Sequence, residues 1–388
     1  MRNKKLWFII GAVVVIAAII IGIRLTQEPT QQQRQVYKIG AILPLTGPLA
    51  QIQEVLKNGM ELAAKEINNA GGIDGRKLVI VYQDNQGDPK QSVSAFQQLL
   101  VREKLPVIIS DHSPLSAPLR PLAEQNGVLL FATIVSLPEF TKGYKYVARD
   151  FVSSDLESKL MAEFLVKERG IKRAGVLYVA DDYGRGAYEV FRETLERLGG
   201  FIVTAEQFSQ TETNFRTILT KMYTSNPEAI YLVGRERSFA SALVQMKETG
   251  FPGVICTTIS LNSRTVIEQA GNALEGVYFT NINYFPDNPS NEKMRLFVEK
   301  FKKEYGDPNN YICVYGYDII HYLADAIREG GYTADGIKKA LIGRRLKTVR
   351  GEVVVPENLD IQTPLVVAQV QGGKFKVVYT QQGRGLNE

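Results

Sequence analysis

The sequence is poor in the side chains on which most enzymes depend. Its 388 residues include only two cysteines and two histidines, which leaves little material for a zinc cluster or a Cys–His catalytic pair. The chain also lacks the glycine-rich fingerprints of nucleotide binding, the Cys-x-x-Cys and H-E-x-x-H metal motifs, and the G-x-S-x-G elbow of hydrolases. We therefore predict that the protein is not an enzyme and that it binds no metal and no cofactor.

The two cysteines, Cys256 and Cys313, lie in apolar surroundings and far apart in sequence. This pattern favours two small buried hydrophobic side chains. A disulfide is the alternative in an exported chain, provided that the fold brings the two Cα atoms within about 7 Å of each other.

The positive charge is concentrated at the start of the chain. The formal net charge is +5, and residues 1–36 hold five basic residues against one acidic residue. The remaining residues therefore carry a net charge of only +1, which argues against a nucleic-acid-binding body.

An uncharged apolar stretch, residues 6–23, follows the basic residues Arg2, Lys4 and Lys5. Its length is just sufficient to cross a bilayer, and the basic flank predicts that the globular part lies on the extracytoplasmic side. No Ala-x-Ala-like cleavage site follows, so we predict an N-terminal transmembrane helix that anchors the protein to the cell membrane. Secretion after signal cleavage is the alternative. The glutamine-rich residues 27–35 are typical of a flexible stalk.

From residue 37 onward, short apolar runs alternate with amphipathic helical stretches in two series that join near residues 150–153. This alternation predicts an α/β fold with two doubly wound parallel-sheet lobes joined by a hinge. The expected divisions are residues 1–35 for the flank, anchor and stalk, 36–150 plus 282–355 for lobe 1, 151–281 plus 356–382 for lobe 2, and 383–388 for a tail.

Polar side chains follow four of the predicted strands, where open parallel sheets bind their ligands. In the first series they occur in residues 110–114 and 132–136, and in the second in 181–183 and 234–237. Hydroxyls beside free N–H groups at a helix start suit a carboxylate. Ordinary N-capping is the alternative role for each of them.

Five short motifs are spread along the chain. They are Ile39-Gly40 with Pro44-Leu45-Thr46-Gly47-Pro48; Ile67-Asn68 with Gly71-Gly72-Ile73 and Gly75; Asp84 with Asp88-Pro89; Ala180-Asp181-Asp182-Tyr183-Gly184 with Gly186; and Tyr315-Gly316-Tyr317-Asp318. Together they resemble the type I periplasmic binding proteins of the branched-chain amino-acid (Leu/Ile/Val) group, the solute-binding components of ABC importers. The resemblance covers residues 37–379, nearly the whole chain after the predicted anchor.

The resemblance implies that two lobes close on a small solute and that hydroxyls of the first lobe hold its carboxylate. Ser113 and Ser136 match those hydroxyls, and Tyr183 matches the tyrosine of the second lobe that closes over the solute. Arg235 replaces a second tyrosine and would suit another anionic group. Pairing of Arg235 with Glu236, Glu54 or another surface carboxylate is the alternative. The predicted ligand-binding set is Ser113, Ser136, Tyr183, Arg235, Thr46, Asp111, His112 and Ile134.

The sequence departs from the amino-acid-binding pattern at two further places. The acid that takes the solute's ammonium group falls within residues 256–260, which contain no carboxylate. Asp111 or Asp182 is a possible substitute, since an ammonium group buried without a counter-charge is costly. A disulfide found in some members would join positions near Gly87 and His112, where this chain has no cysteine.

These observations predict an extracytoplasmic solute-binding protein that captures a small carboxylate-bearing solute, an amino acid or a related organic acid or amide, and delivers it to an ABC importer. The expected partners are the solute, the ABC permease subunits and, through the N-terminal helix, the membrane. Nucleic acid is not expected, and the protein is predicted to be a monomer. The alternative function is a ligand-sensing subunit of a signalling complex.

Overall fold

The computed structural model describes residues 36–287, 289–363 and 365–380. The predicted transmembrane helix, stalk and tail lie outside these residues. Among the helices that are described, none combines the length and apolar character needed to cross a membrane.

Fifteen strands are found in the described residues. They are β1 (Tyr37–Leu43), β2 (Leu78–Asp84), β3 (Val107–Asp111), β4 (Leu129–Thr133), β5 (Val147–Asp150), β6 (Arg173–Val179), β7 (Phe201–Phe208), β8 (Ala229–Val233), β9 (Val254–Thr257), β10 (Tyr278–Ile282), β11 (Arg345–Thr348), β12 (Gly351–Val354), β13 (Asp360–Ile361), β14 (Leu365–Gln371) and β15 (Lys374–Thr380).

The α-helices of the same residues are α1 (Ala50–Asn69), α2 (Pro89–Glu103), α3 (Ser113–Ser116), α4 (Arg120–Asn126), α5 (Ser154–Lys167), α6 (Asp182–Arg197), α7 (Arg216–Thr224), α8 (Glu236–Glu248), α9 (Arg264–Ala270), α10 (Glu292–Tyr305), α11 (Ile312–Gly330) and α12 (Ala334–Leu341). Short 3₁₀ turns follow α3 and β9.

Two separate sheets define the two lobes. The first has the strand order β13-β5-β4-β3-β1-β2, and its strands are parallel. The second has the order β15-β14-β10-β9-β8-β6-β7. Here β14 and β15 are antiparallel to their neighbours, so the expected all-parallel second sheet is a mixed one. The strand order reverses beside β1 and beside β6, which places a ligand crevice at the carboxyl ends of both sheets.

The chain passes between the lobes three times, after β5, after β10 and after β13. The last passage lies a few residues beyond the expected boundary at 355/356, because β13 pairs with β5 in the first sheet. Arg149 of β5 fastens this pairing, since its Nε and Nη2 donate to the two carboxylate oxygens of Asp360 at 2.7 and 2.6 Å.

A second arginine, Arg350, joins two of these passages from a fully buried position. Its guanidinium donates to both oxygens of Asp150, which ends β5, at 3.0 and 2.7 Å, and to Thr363 Oγ1 just after β13 at 2.6 Å. It also donates to Asp318 and Tyr322 of α11 at 3.2 and 2.9 Å. This Arg350 network therefore fixes where two crossovers leave the first lobe.

Local sequence signals explain why the elements start and pack as they do. Asp88 accepts a hydrogen bond from Gln91 N at 2.9 Å with Pro89 in the first turn of α2, the usual signals of a helix start. Gly316 lets α11 approach α1 closely, because a Cβ there would lie 2.2 Å from the carbonyl oxygen of Leu56. Cys256 and Cys313 are buried and free, as the apolar surroundings predict, and no disulfide joins them.

Candidate functional site

A cavity of about 270 Å³ lies between the two lobes. Each of the two lobes contributes residues that directly follow parallel strands, so the carboxyl ends of both sheets face the cavity. The first lobe contributes Leu49, Ile52, His112, Ser113, Pro114, Ile134 and Ser136, and the second contributes Glu157, Asp181, Tyr183, Gln210, Arg235, Ile259, Ser260 and Ser263. Phe151, directly after β5, and Tyr311 and Ile312, where α11 begins, complete the lining.

The wall of the first lobe is built by the loops after β3 and β4. His112 and Ile134 occupy the first position after each strand, and both have left-handed backbone, with φ values of +54° and +53°. This conformation is costly for a residue with a Cβ, above all for a β-branched one, and such strain is found at functional sites. It turns both loops so that Ser113 and Ser136 line the cavity. The loops touch, since Leu137 N donates to Ser113 Oγ at 3.3 Å.

Two predicted ligand-binding residues of the first lobe do not line this cavity. Thr46 is exposed, and its hydroxyl donates to Asp84 Oδ2 at 2.6 Å, where it closes the loop after β1. Asp111, the last residue of β3, is fully buried and lies 2.6 Å from His112 Nδ1. Burial raises the pKa of Asp111, although His112 opposes the shift. The binding roles predicted for the two residues therefore stay predictions, with neither side chain in the cavity lining.

Tyr183 and Arg235 form one stacked unit in the wall of the second lobe. The Arg235 guanidinium lies 4.1 Å from the centre of the Tyr183 ring, and its Nη1 donates to Asp181 Oδ2 at 2.7 Å. The sequence left two possible partners for Arg235, an anionic group of the solute or a carboxylate of the protein. In the structure its partner is the carboxylate of Asp181. The Tyr183 hydroxyl donates to Thr258 Oγ1 at 3.1 Å. Burial, aided by the nearby Glu157 carboxylate, raises the pKa of Tyr183 to about 12, so it stays protonated.

The start of α6 positions this unit. Asp181 caps the helix by accepting a hydrogen bond from Gly184 N at 2.8 Å. Gly184 is required because a Cβ there would lie 2.0 Å from the carbonyl oxygen of Val179. Asp182, the other carboxylate that the sequence offered for an ammonium group, is exposed and pairs with Arg185 at 3.0 Å. It does not line the cavity.

Glu157 is the charged residue of the cavity that the sequence reasoning missed. It lies in the first turn of α5, is 1% exposed, and accepts hydrogen bonds at Oε1 from Ile259 N at 2.8 Å and from Thr280 Oγ1 at 2.6 Å. Burial raises its pKa to about 7. A signal was present, because Glu157 precedes Leu160, Met161 and Phe164 at helical spacing, on the face of α5 that should be apolar.

Among the described residues, no group of three or more His, Cys, Asp or Glu side chains is arranged to hold a metal ion. The polar groups of the cavity are hydroxyls, the His112 imidazole, the Gln210 amide, the Glu157 carboxylate and the Asp181–Arg235 ion pair, set among apolar side chains. Such a lining fixes a small organic molecule by a few directed contacts.

The sequence profile of the family described as periplasmic binding protein matches residues 36–374. The chain belongs to this family. Its members are solute-binding proteins, so the protein binds a small ligand and is not an enzyme, as the sequence predicts. The family also has an extracytoplasmic location and works with ABC transporters.

Known relatives agree in sequence and in structure. The chain is 26% identical to Leu/Ile/Val-binding protein homolog 3 of Brucella melitensis over 330 residues, which cover 84% of this chain and 89% of the relative. It is 28% identical to a crystallised leucine-binding protein of Thermotoga maritima, with a TM-score of 0.80 over 88% of this chain and 98% of the other. These matches confirm the resemblance to the branched-chain amino-acid group.

A third protein shares the fold alone. It is an ABC-transporter solute-binding protein of Rhodopseudomonas palustris crystallised with 3,4-dihydroxybenzoic acid, 23% identical, with a TM-score of 0.79 over 89% of this chain and 96% of that one.

Proposed function

We propose that the protein captures a small carboxylate-bearing solute between its two lobes and delivers it to an ABC importer. The observation that carries this proposal is the interlobe cavity, lined from both sides by residues that follow parallel strands. A cavity of about 270 Å³ suits a molecule at the lower end of the usual ligand sizes.

The carboxylate would bind to the first lobe. Ser113 and Ser136 offer hydroxyl donors, and the left-handed residues before them hold both loops in place without the solute. A preorganised site loses less conformational entropy on binding. The apolar Ile52, Phe151 and Ile312 would contact the rest of the solute.

The second lobe would close over the solute with the Tyr183–Arg235 unit. Since Arg235 is neutralised by Asp181, its planar face and the Tyr183 ring would act mainly as a lid. Relatives that bind amino acids and a fold neighbour that holds an aromatic acid share a carboxylate ligand, in keeping with this arrangement. The apolar residues 6–23 would hold the protein at the cell membrane, near its permease.

The test is a titration of a bound carboxylate solute into the S113A/S136A double variant. Each lost hydrogen bond to a charged group costs about 1.5–3 kcal/mol, so we expect affinity to fall at least about 100-fold. Ser94→Ala in α2, outside the cavity, is the matched control and should bind like the wild type. Unchanged affinity in the double variant would contradict the assignment of the carboxylate subsite.

A further inference from the structure

The outer edge of the first sheet lies at the amino ends of its parallel strands, whereas the cavity lies at their carboxyl ends. This edge therefore faces away from the second lobe. The chain enters lobe 1 here, because Tyr37 begins β1 and its N–H donates to the carbonyl oxygen of Lys77, just before β2, at 2.9 Å. Helix α12 reaches the same edge, since the Lys338 ammonium lies 5.8 Å from the centre of the Tyr146 ring, just before β5. We name this surface the entry edge; it comprises residues 36–38, 74–79, 101–107, 144–147 and 332–340.

The entry edge is strongly basic, although the globular part as a whole is nearly neutral. It holds eight basic residues against three acidic ones, a net charge of +5, whereas the chain after residue 36 carries only +1. Two of the three acids are already engaged, Glu103 by Lys38 at 2.6 Å and Asp335 by Lys145 at 3.1 Å. The six other basic residues form no ion pair with the residues that the structure describes; they are Arg76, Lys77, Arg102, Lys104, Lys338 and Lys339. A surface of this kind attracts an extended anionic partner.

Apolar and aromatic side chains lie among these cations. Val101, in the last turn of α2, is 79% exposed, and Val36, at the point of entry, is 38% exposed. The rings of Tyr37 and Tyr332 pack with their centres 5.0 Å apart, and the Arg76 guanidinium lies 5.3 Å from the centre of the Tyr37 ring. Exposed apolar side chains beside tyrosines and cations are typical of surfaces that lie at a bilayer interface.

The sequence connects this edge to the predicted membrane anchor by a short segment. The apolar stretch ends at residue 23 and β1 begins at Tyr37, so thirteen residues lie between them. A fully extended chain of this length spans at most about 45 Å. The entry edge is therefore the part of the globular protein that the anchor would hold nearest to the bilayer.

The amino edge of the second sheet provides a contrast. It also carries exposed basic residues, such as Lys172 and Lys374, and the exposed Phe201. The chain does not enter there from the predicted anchor, and this edge lies on the far side of the cavity. Charge alone therefore does not distinguish the two edges, whereas the point of entry does.

We propose that the entry edge rests on the anionic headgroups of a lipid bilayer, with its free cations on the lipid phosphates and its valines and tyrosines at the headgroup boundary. The cleft and lobe 2 then face away from the bilayer. A single tether limits the distance of the protein from the membrane but not its orientation, which the basic edge supplies. This inference goes beyond the proposed function, because it concerns how the protein is held and not what it binds.

The test places a fluorescent label at Val101→Cys in the full-length protein, reconstituted into vesicles. Val101 is 79% exposed and both native cysteines are buried, so the label reacts at the introduced site. The vesicles contain phosphatidylcholine alone or with about one third phosphatidylglycerol, and a small fraction of the lipid carries a nitroxide quencher on its headgroup. The matched control carries the label at Phe201→Cys, which is 46% exposed at the amino edge of the second sheet.

We expect quenching at Val101→Cys to be several-fold stronger with phosphatidylglycerol, and quenching at Phe201→Cys to be weak in both vesicles. Raising the salt from about 0.1 M to about 1 M should remove the difference, because the Debye length falls from about 10 Å to about 3 Å. The entry-edge variant K77Q/K104Q/K339Q should remove it as well. Each cation near an anionic surface strengthens the association about fivefold, so three losses lower the docking constant about 100-fold.

A second variant controls for the loss of charge as such. K172Q/K374Q/K376Q removes the same charge from exposed positions of lobe 2 and should leave quenching at Val101→Cys unchanged. Equal quenching with and without phosphatidylglycerol, or quenching that persists in the entry-edge variant, would overturn the proposal whether or not the anchor has inserted. Stronger quenching at Phe201→Cys would assign the contact to the other edge and overturn it too. A label signal that needs no vesicles and grows with protein concentration would identify a second copy of the chain as the occupant, and would also overturn it.

Discussion

Replacing Arg350 should destabilise the protein more than any change to a surface ion pair. The Arg350→Met variant keeps much of the side-chain volume but removes the only guanidinium that faces Asp150 and Asp318 among the described residues. Both carboxylates are essentially inaccessible to water, with exposed fractions of 1% and 0%. Lys293 remains 3.9 Å from Asp318, whereas Asp150 loses its cation altogether.

The expected cost follows from those unpaired groups. Removing one partner of a buried ion pair costs about 3–5 kcal/mol, because the remaining charge stays buried. The hydrogen bonds to Thr363 and Tyr322 are lost as well, so we expect a value of about 4–5 kcal/mol. With an m-value of about 3 kcal/mol/M, the urea midpoint would fall by about 1.3–1.7 M.

Urea unfolding followed by far-UV circular dichroism measures this change. Arg295→Met is the matched control, since its partners Glu292 and Glu299 lie with it on the exposed face of α10, and it should leave the midpoint nearly unchanged. Adding Asp150→Asn to Arg350→Met should restore part of the loss by removing the stranded charge. A loss below about 1 kcal/mol in Arg350→Met, or no recovery in the double variant, would refute the reasoning.

Two further predictions concern the site. Gly184→Ala should lower the melting temperature markedly, because its Cβ would lie 2.0 Å from the Val179 carbonyl oxygen. The control is Gly186→Ala in the same helix, whose Cβ would meet only Pro138, at 3.5 Å. This control should raise the stability of the protein by about 0.5–1 kcal/mol, because alanine favours the helix over glycine. Equal effects in thermal denaturation would contradict this. Burial raises the pKa of Glu157 from 4.5 to about 7, so folding is penalised when the carboxyl is charged. Without solute, Glu157→Gln should therefore be more stable than the wild type at pH 8, by up to about 3 kcal/mol. The difference should shrink toward pH 5, and a constant difference across that range would contradict the cause.

Much of the fold could be predicted because its elements are locally specified. The alternation of apolar runs with amphipathic stretches from residue 37 onward matches the alternation of strands and helices that begins with β1. Apolar runs bounded by turn residues give such strands, and the Asp88 cap gives the start of α2. The antiparallel β14 and β15 were missed, since strand direction depends on the connection between strands and not on their composition.

The site could be predicted only in part. Ser113, Ser136, Tyr183 and Arg235 line the cavity because they follow parallel strands, a position visible in the sequence. Asp111 and Ser113 are only two residues apart, but the left-handed His112 between them turns the chain. Asp111 is therefore buried in the core, whereas Ser113 lines the cavity. Side-chain direction at such a turn is a property of the backbone angles.

The place of Glu157 in the cavity wall could not be predicted because it depends on distant segments. Its partners Ile259 and Thr280 are 102 and 123 residues away in sequence. An acid on the apolar face of a helix was a visible signal, but only the packing of α5 against β10 and the turn after β9 shows what it faces. The same holds for Asp181, whose pairing with Arg235 joins the ends of two different strands.

The most direct test of the central claim is a thermal-shift screen of the full-length protein in mild detergent against amino acids, dicarboxylates, aromatic acids and amides. A solute at one hundred times its dissociation constant should stabilise the protein by about 2.7 kcal/mol, a readable shift. We predict that at least one carboxylate-bearing solute raises the melting temperature and that the shift disappears in the S113A/S136A variant. A shift produced only by solutes without a carboxylate, or one that persists undiminished in that variant, would contradict the account.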